Sequence, residues 1–134
     1  MEVVAQQIPG VLRVRVAERT LVKPLDSQAV LDLRRPDTVV IALDLKGADF
    51  ISSLFLQGCI ELARTLVGSG QQLVLLHLLP QQERLLEFLV GTPRLLVLND
   101  EAQLDDRLKS LAAAASPDGP HEGVTRAEKF MLWG

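Results

Sequence analysis

The sequence is short of the residue types that most specialised sites are built from. It has no tyrosine, one tryptophan and four phenylalanines, so aromatics make up 4% of 134 residues. Its core must come from Leu, Val, Ile and Ala, which suits helices laid on a sheet and not an aromatic ligand box. The single cysteine, Cys59, excludes an internal disulfide and points to a reducing compartment. Only two histidines occur, His77 and His121, and neither has a second metal ligand at a suitable spacing. No basic tract is present either. Lys and Arg number 14 against 17 Asp and Glu, a net charge of −3, and this excludes the phosphate neutralisation that nucleic-acid binding needs. Apolar runs are short. "LVLLHLLP" falls well below the ~20 residues of a membrane helix. The first ten residues lack the basic start and apolar centre of a signal peptide. The expectation is a cytoplasmic protein without membrane insertion.

What is present is a strand–helix alternation with 48% hydrophobic residues. "VLRVRV" alternates, with Leu12, Val14 and Val16 facing in and Arg13 and Arg15 out. "TLVK" (residues 20–23) is expected to return beside it through a tight turn at residues 17–19, giving an antiparallel edge. A short helix follows, capped by Asp26 or Ser27 and ended at Pro36. "TVVIALDL" (38–45) is apolar on both alternations, as a central strand covered on both faces is. From Ser53 to Val67, Phe55, Cys59, Leu62, Ala63 and Leu66 form one helical stripe, widened by Leu56, Ile60 and Val67 and stopped by "GSG" (68–70). "QLVLLHLL" (72–79) is a second doubly covered strand. A helix with Leu85, Leu86, Leu89 and Val90 inward closes at Gly91, and "RLLVL" (94–98) is a further strand. The last helix follows Asn99 and Asp100 as cap candidates, with Asp105 and Asp106 on a solvated face. The pattern predicts an α/β fold with a mixed, mainly parallel sheet of about five strands and four or so helices. One domain spans residues 1–115, and residues 116–134 form a tail.

The ordered combination of "VVIALDLKGADFISSLFL", "GQQLVLLHLLPQQERLLEFL", "RLLVL" and the helix after "NDEAQL" resembles the STAS family. Those domains are shared by sulphate transporters and anti-sigma factor antagonists. The resemblance covers roughly residues 10–112 and implies a STAS-like sheet and a non-enzymatic role. The implied partner is a protein such as an anti-sigma factor or a kinase-like ATPase, and no cofactor is implied. The implied binding surface is Asp49, Ile51, Ser52, Ser53, Leu54, Gln57, Gly58 and Glu61. Family members that act as phosphorylation switches carry a segment like "D-F-x-D-S-S-G-L", whose second serine accepts phosphate. Aligned without gaps on Phe50 and Leu56, Ser52 replaces the second acid and Leu54 stands at the acceptor position. Shifting the register by one residue makes Ser53 the phosphoacceptor. A regulatory subunit or domain of a membrane transporter is the alternative role, and homo-oligomers are compatible with either.

The residues themselves point the same way. Ser53 is expected to cap the helix, and Leu54 to sit exposed on a polar face with Gly58, Glu61 and Thr65. A nucleophilic serine needs a base and an orienting acid, and no "G-x-S-x-G" elbow occurs. Asp44 and Asp49 flank the exit of the central strand, but turn capping at Asp44 and helix-start stabilisation at Asp49 account for them. Cys59 falls on the buried stripe, and His77 at a strand end. No residue is assigned to catalysis, cofactor binding or a metal.

Overall fold

In a computed structural model describing residues 2–4, 8–89, 95–100 and 102–115, every residue of the strand Val40–Asp44 is buried. Its β-branched, doubly apolar sequence makes it the centre of the sheet. The elements run β1 (Glu2–Val3), β2 (Val11–Arg15), β3 (Thr20–Leu21), α1 (Ser27–Asp32), β4 (Val40–Asp44) and β5 (Phe50–Ile51). They continue with α2 (Ser53–Gly68), β6 (Gln72–Leu76), α3 (Pro80–Leu89), β7 (Leu96–Leu98) and α4 (Leu104–Ala115). Five strands form the main sheet in the order β1-β2-β4-β6-β7, and β3 and β5 make a separate two-stranded ribbon. The pairs β2–β4, β4–β6 and β6–β7 are parallel. The α/β fold with a mainly parallel sheet and four helices is thus as the sequence implies.

The antiparallel edge is not. Glu2–Val3 supplies it, pairing Glu2 with Arg15 and Val3 with Val14. Thr20–Leu21 instead runs parallel to Phe50–Ile51. The linker Ala17-Glu18-Arg19 has no Gly, Asn or Asp to take the positive φ of a tight hairpin turn, so the chain leaves the sheet rather than folding back on it.

Alternation along the strands sorts two cores. Leu12, Val14, Ile41, Leu43, Leu73 and Leu75 meet α1, α2 and α3 on one face. Val11, Val40, Ala42, Val74 and Leu76 meet Leu104, Leu108 and Ala112 of α4 on the other. The crossover helices α2 and α3 therefore lie on the same face, and the order β2-β4-β6-β7 runs without reversal. A parallel sheet opens a ligand crevice where its order reverses, and the described strands contain no such point.

Several boundaries differ from the sequence expectation. His77 takes a left-handed φ of 64° and ends β6 three residues before Leu79. Pro80, expected only to stop the strand, opens α3, where its missing N–H is harmless. Asp100 accepts from the Ala102 N–H in a turn rather than capping α4, which begins at Leu104. Asn99 accepts from the Leu78 N–H at 2.9 Å and donates to the Glu83 carboxylate, tying β7 to the start of α3. In α2, Val67 is exposed although it was expected to widen the apolar stripe. Gly70, with φ 76°, turns the chain after α2 as the "GSG" stretch implies. The inward placement of Leu89 and Val90, the closing Gly91, Arg94 and the tail 116–134 with His121 lie outside the described residues or side chains.

Candidate functional site

Ser52, not Ser53, caps α2. Its hydroxyl accepts the Phe55 N–H at 3.1 Å and donates to the Val22 carbonyl at 3.0 Å. The cap has extended backbone because Ser52 continues β5, so the helix begins at Ser53, one residue earlier than capping by Ser53 would place it. One hydroxyl thus joins the helix start to the β3 segment. Replacing Ser52 by alanine should cost about 1–2 kcal/mol of stability, read by urea denaturation, whereas Ser53→Ala should be near neutral. Equal losses at the two positions would contradict the capping assignment.

The ribbon sets the rest of the surface. Arg19 accepts from the Asp49 and Phe50 amides with its carbonyl, and Leu21 accepts from Ser52. The Arg19 guanidinium contacts the Asp49 carboxylate at 2.6 Å on the exposed side. Asp49 therefore clamps the ribbon and does not serve the helix start, as its position before the helix suggested. Such an exposed pair contributes at most about 1 kcal/mol.

Of the eight surface residues that the family resemblance implies, Asp49, Ser53, Leu54, Gln57 and Glu61 are exposed and Ser52 is partly so. Leu54 is 52% exposed, as its helical position predicts. Ile51 and Gly58 are buried. Ile51 points into the core by strand alternation. Gly58 departs from the polar face because the Leu25 backbone lies against it, and a Cβ there would come within 2.8 Å of the Leu25 nitrogen. Two residues join the surface instead. Phe50 is 51% and Val22 50% exposed, outward neighbours of Ile51 and Leu21. Parallel pairing brings Val22 opposite Ser52, a long-range consequence that no local spacing shows. Only the strand-like alternation of Phe50 against Ile51 could have singled out Phe50.

The carboxylates near the strand exits do not converge. Asp44 is fully buried, with one oxygen on the Lys46 N–H at 3.0 Å and the other on Arg13 Nη2 at 2.8 Å. The Lys46 bond is the turn cap that the sequence implies. The buried ion pair corrects the outward placement of Arg13. Burial pushes the Asp44 carboxyl up, but the Arg13 and Lys46 hydrogen bonds, with the charges of Arg13 and His77, hold it below the ordinary carboxylate value. Cys59 is enclosed in the core, and burial pushes its thiol up to about 12, so it stays a neutral packing group. Among the described residues, no group of three or more His, Cys, Asp or Glu is placed to hold a metal ion, and no helix is long and apolar enough to cross a membrane.

No protein-family model matches the chain. A search of curated proteins likewise finds no relative for it.

Proposed function

We propose that this chain is a cytoplasmic, non-enzymatic protein-interaction module of the kind represented by STAS-type anti-sigma factor antagonists. It binds a protein partner, such as an anti-sigma factor or kinase-like ATPase, through the start of α2 and the adjoining ribbon. The observation that carries this reading is the set of three large apolar side chains, Val22, Phe50 and Leu54, each half exposed around one helix start. Large exposed apolar groups with a polar surround are what protein interfaces use as anchors.

The test begins with affinity capture from the native host, followed by equilibrium binding of the identified partner. Leu54→Asp should weaken binding about tenfold or more, because a charge would have to be desolvated at the anchor position. Undiminished affinity would remove the helix start from the interface.

One observation favours a second reading, a phosphorylation switch at Ser53. Its side chain is exposed at the first helical position and, among the described residues, engages in no hydrogen bond, whereas the Ser52 hydroxyl is held at both ends. A phosphate there would add charge and bulk to the docking surface. Incorporation of one phosphate from ATP in host extract, lost in Ser53→Ala, is the outcome that would favour the switch.

A further inference from the structure

Among the described residues, three polar or charged ones are buried: Thr38, Asp44 and Gln82. Thr38 serves its own turn, its hydroxyl accepting the Arg35 N–H, and Asp44 stays at the sheet edge with Arg13 and Lys46. Gln82, 4% exposed, instead joins two segments 34 residues apart. Its amide oxygen accepts the Leu79 N–H at 2.8 Å, and its amide nitrogen donates to the Ala48 carbonyl at 3.2 Å. The first bond is the return half of a capping box, since Gln82 is the third residue of α3 and reaches back to the residue before Pro80. Capping needs the oxygen alone. The nitrogen crosses to the turn between β4 and β5.

That turn sets where the docking surface begins. Ala48 closes it with its N–H on the Leu45 carbonyl, and Gly47 takes the φ of 94° that the third position of a type II turn needs. The next two amides, of Asp49 and Phe50, both donate to the Arg19 carbonyl and open the ribbon. Phe50 therefore stands two residues from the carbonyl that Gln82 holds. The start of α3 is itself fixed from the β7 side, where Asn99 accepts the Leu78 N–H and donates to the Glu83 carboxylate. Loss of the Gln82 amide would take this donor from the Ala48 carbonyl, in a residue 4% exposed.

We propose that Gln82 is a positioning residue for the docking surface, a latch that ties the Ala48 carbonyl to the start of α3 and so holds Phe50 where the ribbon presents it. Binding surfaces gain affinity when the groups that present them are held in place beforehand by a supporting layer. The role in docking rests on the partner-binding reading of Val22, Phe50 and Leu54. The hold on the turn does not.

Hydrogen exchange of the full chain, followed residue by residue by NMR, tests the latch without a partner. Gln82→Met replaces the amide by an apolar group of similar length. In it the Asp49, Phe50 and Ser52 amides should exchange about tenfold faster, beyond any change in β4 and β6. Gln82→Glu keeps an oxygen for the Leu79 N–H and loses the donor to Ala48. It should free the same three amides while the Glu83 amide, at the start of α3, keeps its protection. Leu108→Ala weakens the core under α4 and should move all of these amides together. No selective rise in either Gln82 variant, or the same selective rise in Leu108→Ala, would overturn the proposal. With the partner identified by affinity capture, Gln82→Glu should bind about three- to tenfold more weakly. Release of the ribbon with undiminished affinity would overturn the positioning role while leaving the docking surface in place. Full affinity in Leu54→Asp would instead remove the surface that the latch serves.

Discussion

Replacing Arg13 by methionine should destabilise the fold by about 3–5 kcal/mol, the cost of leaving a buried charge without its partner. Methionine keeps most of the stem volume, so the loss reports the guanidinium and not a cavity. Asp44 is fully enclosed at the end of the central strand and cannot turn to water. Arg13 is itself partly exposed, so Asp44→Asn should cost less than Arg13→Met. The comparison fixes which partner is the costly one to strand. Urea denaturation at neutral pH measures both, and a loss below about 1 kcal/mol for Arg13→Met would show that Arg15 takes over the pairing.

Acid should narrow the difference between wild type and Arg13→Met. In the wild type the Asp44 carboxyl is held below its unfolded value of 3.8. Its contribution is therefore present above that pH and is lost as pH falls through the lower folded value. In Arg13→Met the hydrogen bond and the charge of Arg13 are lost while burial, the largest cause, remains, so the folded value should lie above that of the wild type. The deficit is then largest at neutral pH and shrinks as Asp44 takes up a proton. The two stability curves should approach each other as pH falls through the lowered folded value of the wild type and meet only below it. A gap that stays constant with pH would show that Asp44 is not the group responsible.

Gly58→Ala is the second substitution with a large expected effect, and its sign opposes helix propensity. In an unobstructed helix interior this change gains about 1 kcal/mol. Here the new Cβ would meet the Leu25 nitrogen at 2.8 Å and the Leu25 Cβ at 3.0 Å. The nearest obstacle is backbone and cannot swing aside, so the segment before α1 must move off α2. Overpacking of this sort should leave a net loss of about 2–3 kcal/mol. A stabilised Gly58→Ala variant, measured by the same denaturation, would show that the Leu25 segment yields freely.

These two sites also show where sequence reading stops. The central strand, the apolar stripe of α2 and the order of elements follow from short periodicities, which the chain carries on its own. Asp44 was legible as a turn cap because its partner is two residues away. Its pairing with Arg13 was not, because alternation assigns Arg13 to a face without saying whether a buried acid lies opposite. Gly58 looked solvated because helical phase alone cannot reveal a neighbouring segment. The same limit explains the edge strand: Thr20–Leu21 has ordinary strand character, and only the poor turn chemistry of residues 17–19 hinted that it would leave the sheet. On the candidate surface, Leu54 was found from helical phase, whereas Val22 reaches it through a pairing across the chain.

The β3–β5 ribbon joins residues thirty positions apart, with Thr20 against Phe50 and Leu21 against Ile51. The proposed docking surface is accordingly discontinuous in sequence. A linear segment covering residues 48–58 carries Phe50 and Leu54 but neither Val22 nor the carbonyl that holds Ser52 in place. Closing so long a loop has an entropic cost, so recognition by a partner there also reports that the chain has finished folding.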